Sequence, residues 1–356
     1  MKRRTLRGVR LVSRLVLLDG LLSLSLMACG GQVRGTAQDE VSSSVLTERD
    51  LAQEADLADA TTIALVSGKD VSITEEGIFL LRGTATDVTV TVDVGSSAKV
   101  QLVLDGISIT NADAPAIYVA SADKVFVTTT QGSSNALAVT GAFHAEGETD
   151  TDSVIYSKDD LVLNGLGTLS ISSTDNGISC KDDLKVTGGA YVVECASDAI
   201  EVNDNLYVAG GELRITAGSD GIQAKAHAQV DGGALTIGAE EGIESTDVLI
   251  QGGALRIEAT DDGINAAQKV DVGMPTIRIA GGEVYIKMAQ GDTDALDSNG
   301  DLYISGGVVD IIGQSAFDYD GEGQLTGGTV SVNGEQVSEL RNSSTHGASV
   351  GEGRTV

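Results

Sequence analysis

The sequence predicts a parallel β-solenoid, a stack of short coils that share one long core. The first observation is repetition. Residues 158–267 fall into five near-copies of about 22 residues each: Lys158–Cys180, Lys181–Val202, Asn203–Ala224, Lys225–Ser245 and Thr246–Ala267. The second is period-two alternation in short runs, as in Leu206-Tyr207-Val208 and Leu213-Arg214-Ile215, which cannot bury their apolar sides alone. The third is punctuation. Most copies carry a Gly-Gly turn (Gly188-Gly189, Gly210-Gly211, Gly232-Gly233, Gly252-Gly253) and close on an acidic corner such as Asp220-Gly221-Ile222 or Glu241-Gly242-Ile243. Stacking such units pairs each strand with the coil above and below at about 4.8 Å. Helical repeats would need apolar residues three and four apart over ten or more positions, and the copies lack them.

In chain order, the first element is a targeting segment. Lys2, Arg3, Arg4, Arg7, Arg10 and Arg14 precede a short apolar run, Leu15–Leu26, interrupted by Asp19. The run is too short to span a membrane comfortably. Leu26-Met27-Ala28-Cys29 matches a lipoprotein signal-peptidase box, so residues 1–28 read as a signal peptide and Cys29 as the lipidated residue. The chain carries a net charge of −29, and removal of residues 1–28 takes away six basic groups and one acid, leaving about −34. Such a charge excludes nucleic acid as a partner, because phosphate contacts need Lys and Arg.

Residues 29–60 read as a flexible tether, rich in Ala, Ser, Thr, Asp, Glu and Gln, with room for a short helix near Glu48–Ala58. Residues 61–334 read as the solenoid. Its opening coils, 61–157, alternate less regularly, as in Val88-Thr89-Val90-Thr91-Val92, and include an acidic loop at Glu146–Asp152. The regular coils occupy 158–334, broken by an extra strand pair in Gln268–Gln290 around Gly281-Gly282. Residues 335–356 read as a disordered polar tail.

Stacking brings equivalent residues into rows. The corner row holds Asn176, Asp198, Asp220, Glu241 and Asp262, and continues toward Asp294 and Asp318. A second acidic row holds Asp159/Asp160, Asp182/Asp183, Asp204 and Asp247. Like charges about 4.8 Å apart repel by roughly 1 kcal/mol even in water. Calcium, a hard cation taking six to eight oxygens, would relieve that repulsion. Solvated turn acids are the alternative. Candidate calcium ligands are therefore Asp198, Asp220, Glu241, Asp262, Asp294 and Asp318.

If Ile178, Ile200, Ile222, Ile243 and Ile264 point inward, then Tyr118, Tyr156, Ser179, Glu201, Gln223, Glu244 and Asn265 point outward as a polar strip. A strip of that length suits an extended polymer. Glu201, Gln223, Glu244 and Asn265 are candidate carbohydrate contacts, with outward Tyr207, Tyr285 and Tyr303 able to stack on sugar rings. The chain has no Trp. Lys158, Lys181 and Lys225 share one corner and Arg214 and Arg256 one face; all lie near carboxylates, which favours charge pairing over service as a catalytic base. His144, His227 and His346 stand isolated in loops or turns, so no nucleophile–histidine arrangement is formed. Cys180 and Cys195 fall on inward positions and read as buried thiols, although an exported protein would permit a disulfide.

Several stretches resemble bacterial carbohydrate-binding domain-containing surface proteins. They are residues 101–111, Ala116-Ile117-Tyr118, residues 155–161 with Asn164-Gly165, the acidic Gly-Ile corners, and residues 296–307. The resemblance covers about residues 65 to 334 and implies a right-handed parallel β-helix, similar to pectate lyases, that carries calcium and binds cellulose or acidic polysaccharide. Together with the Cys29 box, these readings leave a non-catalytic, lipid-anchored polysaccharide-binding module as the first function class. A calcium-dependent polysaccharide lyase of pectate type is the second, and a structural surface spacer or adhesin the third. The chain ends sooner after Gly334 than those proteins do.

Overall fold

The computed structural model describes residues 45–145, 149–291 and 293–342. Cys29 and the signal segment lie outside the described residues. From Thr61 onward the chain winds through about eleven stacked coils, and almost every strand pairing is parallel. Three sheets run the length of the stack. Sheet A includes Lys124–Thr129, Asp160–Gly165, Leu184–Val186, Asn205–Val208, Thr276–Ile279 and Asp301–Ile304. Sheet B includes Thr168–Ser173, Ala190–Cys195, Glu212–Thr216, Ala234–Ala239, Ala254–Ala259, Glu283–Met288 and Val308–Ile312. Sheet C includes Ser153–Ser157, Asn176–Cys180, Ile200–Val202, Ile264–Ala266, Asp294–Ser298 and Ser315–Tyr319. The longer strands Asp220–Val230 and Glu241–Ile250 serve sheet C with their first halves and sheet A with their second. The parallel solenoid read from the repeats is the fold observed.

The core is a set of apolar side chains stacked in register, mostly like on like. On sheet C, Ile155, Ile178, Ile200, Ile222, Ile243, Ile264, Leu296 and Phe317 lie in register and are buried. Sheet A stacks Leu161, Leu184, Leu206, Ala228 and Val248 in the same way. Each coil alone would leave its apolar side wet, so burial couples every coil to its neighbours.

The Gly-Gly turns divide two requirements between two residues. The second glycine is left-handed, with φ of 92° at Gly211 and 87° at Gly233. From Gly210 onward, the first lies against the backbone of the previous coil. A Cβ there would sit 2.9 Å from the Thr187 carbonyl oxygen at Gly210, and 2.7 Å from that of Ala209 at Gly232.

Three stretches differ from the sequence expectation. In the 29–60 segment, residues 46–53 are docked on the outer face of sheet A instead of hanging free. A single helical turn, Glu48–Leu51, is closed by a reciprocal cap between Thr47 and Asp50. Asp50 is fully buried, 3.5 Å from Lys124 and 3.7 Å from Lys185. Asn164 Nδ2 donates to the Ala52 carbonyl, the Gly165 N–H to Gln53 Oε1, and the Thr187 hydroxyl to the Asp50 carbonyl. The Arg49 guanidinium lies 4.4 Å from the Phe126 ring centre. Composition missed this because the partners sit 74 to 137 residues away. Losing Asp50 would leave Lys124 and Lys185 buried side by side with less negative charge, at about 3–5 kcal/mol for a broken buried pair. Asp50→Ala should therefore release residues 46–60 to limited proteolysis several-fold faster than in wild type, while the β circular dichroism persists. Equal cleavage rates would show that the docking does not depend on this pair.

The second difference is in residues 268–290. Thr276–Ile279 and Glu283–Met288 are the ordinary sheet A and sheet B strands of their coil, in register with Asp301–Ile304 and Val308–Ile312. The inserted residues form the loop at 267–275 instead of an extra strand pair. The third is the tail. Glu335–Val337 folds back antiparallel onto Thr329–Val332, Leu340 is buried, and the Tyr319 hydroxyl donates to the Leu340 carbonyl. This covers an end that would otherwise offer open strand edges. Residues 343–356 lie outside the described residues.

In the expected acidic loop at 146–152, Thr151 is fully buried and Asp152 accepts from the Ser179 hydroxyl. Cys180 on sheet C and Cys195 on sheet B are both free thiols. Burial pushes Cys195 up to about 11 and Cys180 further, so neither is reactive near neutral pH. Among the described residues no helix is long and apolar enough to cross a membrane.

Candidate functional site

Sheet C presents the rows read from the repeats, because a period-two strand sends alternate residues outward and the parallel register repeats them coil after coil. Tyr118, Tyr156, Ser179, Glu201, Gln223, Glu244, Asn265, Asp297 and Asp318 form one continuous outer row. Asp318 thus belongs to this middle row and not to the corner row. In its coil the corner position is Ser315, which pairs with Asp294.

The outer row is outward but largely covered. Ser179 is fully buried, and Glu244 and Asn265 are 4% and 8% exposed. Lysines one corner away explain part of this. Lys181 lies 2.7 Å from Glu201, Lys225 lies 3.9 Å from the same carboxylate, and Lys269 lies 2.5 Å from Glu244. The Lys158 and Lys181 amines also lie 5.7 and 5.4 Å from the ring centres of Tyr118 and Tyr156. Gln223 donates to Asp220 and Glu244, and Asn265 Nδ2 donates to Glu241. So Glu201, Gln223, Glu244 and Asn265, predicted as sugar contacts, are brought together, but their carboxylates and amide N–H groups are already bonded to lysines, to corner acids or to one another, while Asn265 Oδ1 is buried without a partner among the described residues.

The corner acids have a structural role that sequence reasoning overlooked. Asn176 Oδ1 accepts the Asp198 N–H at 2.9 Å, Asp198 Oδ1 accepts the Asp220 N–H at 3.0 Å, and Asp262 Oδ1 accepts the Asp294 N–H at 3.2 Å. Each satisfies an amide where the ladder bends. The stacking is electrostatically crowded all the same. Burial, then Asp198, push Asp220 up to about 7, and burial, then Glu244, push Glu241 up to about 7. Burial, then Asp297, push Asp262 up to about 7, and burial, then Asp318, push Asp297 up to about 6.

The second acidic row converges more tightly. Asp182, Asp183 and Asp204 each place a carboxylate oxygen within 4.8 Å of the other two, the one such grouping among the described residues. Burial, then Asp160, Asp183 and Asp204, hold Asp182 above the usual carboxylate range. No lysine or arginine ion pair with these three occurs among the described residues. Three hard oxygen donors with excess negative charge fit calcium. The six predicted ligands, Asp198, Asp220, Glu241, Asp262, Asp294 and Asp318, do not form such a grouping.

Of the cationic groups weighed as bases, Lys181, Lys225, Arg214 and Arg256 are paired with carboxylates, while Lys158 makes no ion pair among the described residues and lies over the Tyr118 ring. Burial opposes the charge on Lys181, but the Glu201 hydrogen bond and charge hold its pKa raised. Arg214 lies 2.6 Å from Glu212 and Arg256 2.6 Å from Glu258. His227 is not isolated. It sits on the strand Asp220–Val230, with Nδ1 2.6 Å from Asp247 Oδ2, and Arg278 binds the same oxygen at 2.7 Å. The two partners lie one and two coils further along the chain, so no local motif announces them.

Tyr207 and Tyr303 lie on the outer face of sheet A. The Tyr207 ring packs on His227 with centroids 5.9 Å apart, and the Tyr303 hydroxyl donates to Asp301 at 2.9 Å. They belong to one outer row with Gln229, Leu249 and Arg278 between them. A feature missed at the sequence level lies on sheet B. A depression of about 410 Å³ runs over its outer face, lined among others by Ala234, Ala254, Arg256, Glu283, Tyr285 and Asp310.

Comparison with known proteins places the chain. A family model described as carbohydrate-binding domain-containing protein matches residues 67–239 and 230–355. A curated relative of that description from Acetivibrio thermocellus is 34% identical over 191 residues, covering 51% of this chain; the match takes in 65% of the relative's own length. Among solved structures, a polysaccharide lyase-like protein from C. thermocellum, as a gadolinium derivative, is similar at TM-score 0.46 and 24% identity, over 76% of this chain and 96% of that one. With its family model matched across nearly the whole solenoid, the chain belongs to the carbohydrate-binding domain-containing protein family.

Proposed function

We propose that this protein is an exported module, lipid-anchored through Cys29, that holds an extended polysaccharide on the outside of its solenoid without chemically changing it. The family match from residue 67 to 355 carries the reading. Long registered rows support it, since they repeat one set of side chains along the axis as a polymer repeats its sugar. The pairing of Lys181, Lys225, Arg214 and Arg256 with carboxylates supports binding over lyase chemistry, which needs an unprotonated base beside the substrate. Calcium belongs to the proposal as a counter-ion held by Asp182, Asp183 and Asp204. When bound it would neutralise the crowded carboxylates there. Acidic polymers would need such a bridge to approach an anionic surface.

A glycan array probed with the full chain, with and without chelator, tests the binding. Retention of at least one polysaccharide class, with uronate polymers lost on chelation, is the expected result. Retention of none, or release of unsaturated products during incubation, would overturn it. For the anchor, Cys29→Ser should abolish incorporation of a fatty-acid analogue in cells; equal labelling of the mutant refutes lipidation.

A further inference from the structure

We propose that the depression on the outer face of sheet B is a subsite for an uncharged glycan, an inference that rests on the polysaccharide-binding reading. Two registered rows build it: Ala234, Ala254, Glu283 and Val308 on one side, and Thr236, Arg256, Tyr285 and Asp310 on the other. Four coils take part, so the trough runs about 14 Å at about 4.8 Å per coil. That length suits a short run of sugars lying along the axis.

The dip exists because Ala234 and Ala254 follow Glu212 in their row and precede Glu283. Two methyl groups leave room where longer side chains stand on either side. The opposite wall is a stack: the Arg256 guanidinium lies 4.4 Å from the Tyr285 ring centre and pairs with Glu258 at 2.6 Å. Such a stack offers an apolar surface for the C–H face of a sugar. Val308, half exposed, extends the apolar floor.

Charge selects the ligand. Glu258 is shared between Arg256 at 2.6 Å and Lys287 at 3.5 Å, so these three leave one positive charge, while Glu283 makes no ion pair among the described residues and Asp310 accepts only the Ser331 hydroxyl there, at 2.7 Å. The trough therefore carries net negative charge and presents carboxylate acceptors. Sugar hydroxyls, which donate, match it; a uronate carboxylate is repelled. The cluster on sheet C, already bonded to its own lysines, offers no comparable open surface.

Calorimetric titration of the full chain tests the assignment. Cellohexaose, xylohexaose and mannohexaose are the uncharged probes and hexagalacturonate the uronate probe. At least one uncharged probe should bind. Ala254→Arg, which fills the dip, and Tyr285→Ala, which removes the plate, should each weaken it about tenfold or more, equivalent to about 1.4 kcal/mol. Arg82→Ser in the opening coils should leave it unchanged, and melting curves confirm that the variants fold. Equal binding by wild type and both trough variants would place the ligand elsewhere, removing the subsite but leaving the polysaccharide reading. Binding of hexagalacturonate alone would also remove the subsite. Absence of binding to every probe here and to every glycan on the array removes both.

Discussion

Ile222→Asp should unfold the solenoid locally and lower its melting midpoint by 10 °C or more, on the order of 5 kcal/mol at roughly 2–4 °C per kcal/mol for a domain this large. Ile222 is fully buried between Ile200 and Ile243 in the inward ladder of sheet C. The substitution removes an aliphatic side chain, at about 2–5 kcal/mol for a large-to-small change. It also places a carboxylate where no partner exists, which adds several kcal/mol more even after the group protonates. Coils in a stack are stabilised by nearest neighbours, so damage at one coil loosens the two beside it. A midpoint within a few degrees of wild type would mean that Ile222 does not face the core.

Without metal, the protein should lose stability as pH rises from about 4 to about 7. Burial and crowding push Asp220, Glu241 and Asp262 up to about 7 in the folded state, and Asp297 to about 6, against ordinary values of 3.8 for the aspartates and 4.5 for Glu241. Their folded pKa values are raised, so the folded chain holds more protons than the unfolded chain across that window. The sign follows: the contribution is fully present below about 4 and is gone once pH passes the folded values. For Asp220 alone the shift corresponds to at most about 4 kcal/mol at 1.36 kcal/mol per unit. The loss in practice is smaller, because Glu241 beside it titrates in the same range. Asp220→Asn should thus raise the chelator-treated midpoint at pH 7.5 by several degrees and do little at pH 4. Asparagine already occupies the equivalent corner at Asn176, accepting the same kind of backbone N–H. Millimolar calcium should raise the wild-type midpoint at pH 7.5 more than magnesium at equal ionic strength, reflecting a stabilisation of about 2.7 kcal/mol at a hundredfold excess over Kd. A flat pH profile in chelator would refute the crowding; equal responses to the two ions would refute the calcium assignment.

Much of this protein is legible in one dimension because its tertiary structure is nearly one-dimensional. A repeat of about 22 residues fixes which positions stack, and alternation fixes which side faces in. The inward isoleucines, the outward row from Tyr118 to Asn265 and the corner row from Asn176 to Asp262 follow from these two periods, and the register reproduces them. The period places Asp318 one row off because its coil carries Ser315 where the five preceding coils carry an acid, a local departure that a period cannot reveal.

Burial and pairing outside the repeat were decided only in three dimensions. Position in a row says that Glu244 and Asn265 point outward, but Lys269, which sits in an insertion, covers Glu244, and Asn265 spends its amide on Glu241. Asp50 reads as one more acid in a polar tether until sheet A supplies Lys124 and Lys185 from distant coils. The same holds for the trough on sheet B, where two alanines mean nothing locally and become a depression only when Glu212, Glu283, Arg256 and Tyr285 are stacked around them. By itself the sequence determined the coil, its period and the inward ladder, since each depends on neighbours within one or two repeats. The tertiary structure decided which outward groups remain open to a ligand, because that depends on charge partners and capping segments whose positions no period encodes.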